Sequence, residues 1–138
     1  MTIVWAKPKM QGRGASHAGA LSYSLNNSGA DKKSGAPRKQ FVVRLSMALM
    51  KEMRWVVGDR VQLGYDQESN SFVLKRDPDG YSLSAHSARK NADLKGKTAG
   101  ARVQIQRPAF VPEDLPSASF EIADCKIEGL HLIFPAIP

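Results

Sequence analysis

Cysteine is nearly absent from this chain: Cys125 stands alone among 138 residues. No intramolecular disulfide can form, and a reducing compartment is expected. The three histidines, His17, His86 and His131, lie far apart without metal-ligand spacing, and one thiol cannot complete a zinc site. Long hydrophobic runs are missing too. No apolar stretch approaches the roughly 18–20 residues that cross a bilayer, and the opening MTIVWAKPK turns basic too early for a signal peptide. A soluble, cytoplasmic protein with no membrane partner is the expectation. Catalytic signatures are equally scarce. The chain has no G-x-S-x-G, Walker or dinucleotide fingerprint. Gly12-Arg13-Gly14 lacks the Lys-Ser/Thr and the strand-to-helix setting of a phosphate loop. Asp77 and Asp79 flank a proline in a turn, which accounts for them without acid/base work. Neither an enzyme nor a cofactor is expected.

Acidic residues are also few where the chain is most polar. Residues 1–40 carry seven Lys/Arg against Asp31 alone, and residues 77–107 carry six against three. Residues 41–76 are closer to balance, with six against four, whereas residues 108–138 hold one lysine against five acids. The net charge of +7 therefore gathers in the stretches richest in Gly, Ser, Asn and Ala. Basic loops or arms beside a neutral core are the footprint of a polyanion partner, most often a nucleic acid.

At this length one domain, residues 1–138, is expected, and 42% apolar residues can fill a core without a staple. Flexible basic segments are placed at 7–19, 26–40 and 87–100, with core units at 41–86 and 101–138. Strand patterns fall at Met1–Ala6, Ala20–Asn26, Phe41–Ser46, Arg60–Tyr65 and Ser71–Arg76, then at Tyr81–His86 and Ala101–Arg107. Ser46 is suited to cap a helix over Met47–Trp55, whose methionines read as core filling. Pro108–Pro116 cannot form a long helix. SFEIADCKI and LHLIFPAI read as a last strand pair around Glu128-Gly129. The segments FVVRLS, RVQLGY and SFVLKR are echoed by RVQIQR, SFEIAD and LHLIFP at an offset of about 60, which points to internal duplication. The expected fold class is mostly β (α+β): a compact antiparallel domain with one short helix.

The candidate binding residues follow from this charge map. Lys7, Lys9 and Arg13 follow the first strand pattern, and Lys32, Lys33, Arg38 and Lys39 precede Phe41. Arg89, Lys90, Lys95 and Lys97 form a further cluster. Such side chains neutralise phosphates and release counterions without reading bases. Trp5 and Tyr23, close to basic stretches, are the expected stacking faces for single-stranded bases. Trp55 is assigned to packing beneath the helix.

Two resemblances add to this reading. VRLSMALMKEMRWVVGDRVQLGYDQESNSFVLKR, with its Gly58-Asp59-Arg60-Val61, resembles the swapped-hairpin module of the AbrB/MazE transcription factors and antitoxins. That likeness implies a dimer, or a pseudo-dimer if the second half repeats the module, binding duplex DNA with basic residues of the first strand such as Arg44. It departs from the family in lacking a proline-initiated helix after Ser46. The whole chain is similar in size, basic arms and β-core to small single-stranded-DNA-binding transcription cofactors of lytic bacteriophages. This second likeness implies an RNA polymerase partner and a host cytoplasm. Single-stranded DNA with little sequence preference is the expected ligand, with RNA or duplex DNA as other ligands considered. An AbrB-like duplex-DNA regulator is the main alternative, and an inhibitor or adaptor that binds an acidic protein partner is the third class. Homo-oligomers are expected from exposed strand edges and from the apolar ending Leu132–Pro138.

Overall fold

Leu21, Tyr23 and Leu25 alternate with polar residues because they belong to a long strand, β1 (Leu21–Ala30). The computed structural model describes residues 19–30, 37–86 and 91–136, and the Met1–Ala6 strand pattern lies outside them. β1 pairs antiparallel with β2 (Pro37–Leu45), from Leu21↔Leu45 through Asn27↔Lys39 to Ala30↔Pro37. The loop expected over 26–40 is thus corrected, since strand runs into it from both sides. Ladder hydrogen bonds join backbone to backbone, so Asn, Ser and Gly side chains do not prevent pairing.

Ser46 caps α1 (Met47–Met53), its hydroxyl accepting from the Leu49 N–H at 3.2 Å. The helix stops two residues short of Trp55 because Arg54 takes a left-handed conformation, φ 59°. Leu49, Met50, Met53 and Trp55 are buried, while Met47 faces solvent. The methionines therefore fill the core as expected, with that one exception.

The remaining strands are short and all pairs are antiparallel. β3 (Arg60–Asp66) and β4 (Ser71–Arg76) form the hairpin read from the sequence. The pattern at Tyr81–His86 divides into β5 (Tyr81–Ser82) and β6 (Ser84–Ala85), which enter different sheets. Gly80 makes the approach possible: a Cβ there would sit 2.2 Å from the Val61 carbonyl oxygen. The segment expected to be flexible at 87–100 contains α2 (Asn91–Leu94), and beyond it the backbone is tied down. The Val57 N–H donates to the Lys97 carbonyl and the Gly96 N–H to the Val57 carbonyl, at 3.0 and 2.8 Å.

After β7 (Ala101–Gln106) the proline-rich stretch makes turns rather than a helix, and buries Val111 and Leu115. SFEIADCKI is not one strand. It breaks into β8 (Ala118–Phe120), a 3-10 turn at Ile122–Asp124 and β9 (Lys126–Glu128). The break has a local cause, since the Asp124 carboxylate accepts from the Glu121 N–H at 3.0 Å and folds the chain back. β10 (His131–Pro135) closes the order.

Two five-stranded sheets result, in the orders β6-β7-β2-β1-β8 and β5-β3-β4-β10-β9. Their inner faces meet in an aromatic cluster, where Tyr23 and Phe41 of the first sheet lie 5.6 and 5.2 Å from Phe72 of the second. Tyr23 also donates from its hydroxyl to the Pro135 carbonyl at 3.0 Å, linking the sheets. Leu132, Phe134 and Ala136 are buried in the same core. As far as Ala136, the apolar ending thus contributes three side chains to the core. The outermost strands β5, β6, β8 and β9 have only two or three residues each and cover only part of the neighbouring β3, β7, β1 and β10.

The echo in the sequence is an internal two-fold with different boundaries from those expected. Advancing both members of Ser24↔Val42 and Leu25↔Phe41 by 60 gives Ser84↔Arg102 and Ala85↔Ala101, the observed pairing of β6 with β7. At the centre of each sheet equivalent residues pair with each other, Val43 with Val103 and Val73 with Ile133. The halves also exchange segments. The Gly58 N–H donates to the Leu83 carbonyl, and the Ala20 N–H to the Phe120 carbonyl, both at 2.8 Å. β1 therefore belongs to the first half and β5–β6 to the second, which replaces the expected units 41–86 and 101–138. The match of RVQLGY with SFEIAD fails, because β9 is the strand that partners β10 as β3 partners β4.

Candidate nucleic-acid interface

Along β1, β2 and β7 every second side chain enters the core, so the intervening ones form the outer face of the first sheet. Leu21, Tyr23, Phe41, Val43, Leu45, Ala101, Val103 and Ile105 point inward. The register then sets one cross-strand row on the outer face. Ser119 of β8 lies beside Ser22 of β1, Ser22 beside Arg44 of β2, Arg44 beside Arg102 of β7, and Arg102 beside Ser84 of β6. Neighbouring rows bring Ser24, Val42 and Gln104 together, then Asn26, Gln40 and Gln106. No carboxylate projects from any of these positions.

Arg44 and Arg102 are thus directly opposed like charges, an arrangement that disfavours folding when nothing offsets it. The one ion pair among the described residues lies elsewhere, between Arg107 and Glu113 at 3.4 Å. Arg44 Nη1 has only a long contact, 3.5 Å to Ser24 Oγ. Burial, and then the charge of Arg102, lower the pKa of Arg44. A guanidinium titrates so high that it keeps its charge at any working pH. The result is a fixed pair of cations, one of them partly desolvated, that lacks an anion among the described residues.

The residues expected from the sequence divide three ways. Trp5, Lys7, Lys9, Arg13, Lys32, Lys33, Arg89 and Lys90 lie outside the described residues, as does the side chain of Arg38. Lys39, Lys95 and Lys97 are placed away from the arginine row. Lys39 donates from Nζ to the Glu113 carbonyl at 2.8 Å, anchoring the proline-rich segment, while Lys95 and Lys97 are exposed beyond α2. Arg44 alone among the expected residues joins the row.

Tyr23 must be corrected. It is 1% exposed and ringed by Phe41, Phe72, Phe120 and Phe134, so it offers no face on which a base can stack. A half-buried strand has one apolar face, and Tyr23 alternates in phase with Leu21 and Leu25 on that face. Trp55 is in the core, as assigned. Among the described residues the outer face of the first sheet carries no aromatic side chain.

Arg102 and the serines were missed. The alternation of Arg102 between Ala101 and Val103 marks it as outward, but only the pairing register reveals that it meets Arg44. No group of His, Cys, Asp and Glu among the described residues is arranged to hold a metal ion. None of the described helices is long and apolar enough to cross a membrane. Comparison of the chain with family models, with curated proteins and with solved structures finds no match.

Proposed function

We propose that this protein binds nucleic acid through the outer face of its first sheet, with Arg44 and Arg102 gripping phosphates. The observation that carries this reading is the opposed arginine pair on a face without carboxylates. A phosphate backbone supplies the missing negative charge, and an arginine fork matches phosphate oxygens in geometry. The net charge of +7 favours the same encounter at longer range. Asn26, Gln40, Gln104 and Gln106 flank the pair with amide groups of the type that read adenine edges. The phosphate contacts set position, and these amides supply whatever sequence preference exists.

Duplex DNA is the better fit of the two ligands considered. Sheet platforms that bind single strands stack bases on exposed aromatic rings, and the described part of this face has none. The internal two-fold is the second support, because a duplex has its own approximate two-fold that symmetric binders match. The strand, helix and hairpin order of residues 41–76 agrees with the AbrB-like resemblance, and the paired β2–β7 and β4–β10 strands supply a pseudo-dimer of its strands. The single-stranded reading now rests on Trp5 and the basic segments near it.

Competition between a labelled duplex and its separate strands at low salt is the decisive test. Duplex preference, lost when Arg44 and Arg102 are both changed to Gln, is the expected result. Preference for the single strand, unaffected by that change but lost in Trp5→Ala, transfers the site to the N-terminal segment. No binding of either form at low salt defeats the reading and favours an acidic protein partner.

A further inference from the structure

We infer that the hollow beside Arg44 is a phosphate subsite that only one of the two halves possesses. This rests on the nucleic-acid reading and narrows it to one chemical group at one place. The hollow, of about 220 Å³, opens where β1, β2 and β8 adjoin and is lined by Ser22, Ser24, Arg44, Ser117 and Ser119 together with Tyr23 and Ala118. A smaller hollow of about 50 Å³, on which Ser22 and Arg44 also border, reaches Ser46 and His86.

Ser22 is the informative residue. At 8% exposure it is the single buried polar side chain among the described residues, and its hydroxyl makes no hydrogen bond within them. Buried hydroxyls are nearly always paired, because an unpaired one forfeits its hydration without return. Around it stand further hydroxyls and a guanidinium with five N–H donors, of which one is turned to Ser24. A lining of donors and one cation, with no carboxylate, suits a tetrahedral oxyanion. A metal ion finds no anionic ligand there, and an apolar group leaves the donors unpaired.

The second half has lost the site. Advancing Ser22, Ser24 and Arg44 by 60 reaches Ser82, Ser84 and Gln104, and Ser82 lies in the second sheet beside Arg60. The cation of the first sheet is replaced by an amide, and one hydroxyl has left that sheet. One phosphate is therefore held to one side of the two-fold, and a nucleic acid bound across the sheet has a preferred direction. The group assigned is a backbone phosphodiester, since the row of Ser119, Ser22, Arg44, Arg102 and Ser84 runs on past the hollow along the face.

The test pairs a hydroxyl-deletion variant, Ser22→Ala with Ser24→Ala and Ser119→Ala, against Ser82→Ala in the other half, off the binding face. Binding of a duplex is measured across a salt series, and amide spectra of the unaltered protein are followed as inorganic phosphate is added. Expected is an affinity loss of about tenfold for the triple variant, as for lost bonds to a charged group. Its salt slope stays unchanged because no charge is removed. Ser82→Ala binds normally, and phosphate moves the amides of Ser22, Ser24, Arg44 and Ser119. Equal affinity in the triple variant and the unaltered protein, or equal loss in both variants, overturns the subsite while leaving nucleic-acid binding intact. Phosphate shifts at these amides with no binding to nucleic acid keep the subsite and reject the function. Binding that disappears when the duplex loses its terminal phosphates overturns the backbone assignment in favour of a chain end.

Discussion

The two sheets share one core and differ on their outer faces. The first presents serines, amides and two arginines without a carboxylate. The second mixes signs: across its strands Gln62, Lys75, His131 and Glu128 form one row, and Gly64, Val73, Ile133 and Lys126 the next. Asp66 stands in the row beyond. Charges of both signs on the second sheet, Arg60, Lys75 and Lys126 beside Asp66 and Glu128, offset one another in part. The like charges held together on the first sheet do not. Net charge indicates a partner, but pairing register decides which surface meets it.

Tyr23→Ala separates core from interface and has the largest expected effect. The ring lies under the binding face yet inside the aromatic cluster, so its loss is expected to cost about 3–5 kcal/mol of folding free energy, as for other large-to-small core changes. Affinity per folded molecule is expected to stay unchanged. Urea unfolding beside a duplex titration checks both, and an affinity loss in a fully stable variant returns Tyr23 to the interface.

Arg44→Gln with Arg102→Gln sharpens the contrast between the two outer faces. The slope of log affinity against log salt is expected to shrink by about 1.8, or roughly 0.9 for each phosphate contact to a duplex. Folding stability is expected to rise, by about 0.2–1 kcal/mol, because a like-charge pair is relieved. Lys75→Gln with Lys126→Gln removes the same charge from the second sheet and is expected to leave the slope in place. An equal fall in both variants means that overall charge, and not the arginine row, drives binding.

The smallest effect is chemical and belongs to the second sheet's edge. Burial, helped by the Asp124 charge, pushes the Cys125 thiol up to about 11 from an ordinary value of 9.0. A thiol whose folded pKa is raised stabilises the fold below its unfolded value and loses that contribution as pH rises through about 11. Iodoacetamide is therefore expected to label the folded protein slowly at pH 8.5 and the urea-unfolded chain readily. Equal rates, read by mass, mean that the thiol is open to solvent.

Much of the β-structure was legible because its signals are local. Alternation placed β2, β3, β4, β7 and β10, and Ser46 marked the start of α1. What failed depended on pairing between distant segments. Backbone ladders carried β1 and β2 into a stretch of Asn, Ser and Gly that looked like loop. The Asp124 carboxylate broke a run of residues with strand propensity. The candidate site was less legible than the fold. Charge density drew attention to clustered lysines, whereas the isolated Arg44 and Arg102 gain their meaning from being neighbours across β2 and β7. Ser22 looked like a spacer between two apolar residues, and its burial depends on strands far along the chain.

The two-fold inside one chain has a consequence for how this molecule can change. In a dimer of identical subunits every substitution appears twice, so a residue that helps at one position must be tolerated at its mate. Joining the halves at Asp77–Gly80 removes that obligation. Arginine occupies position 44 while Gln104 stands at its counterpart, and Arg102 corresponds to Val42. Within one chain, each half can therefore differ from the other without a matching change.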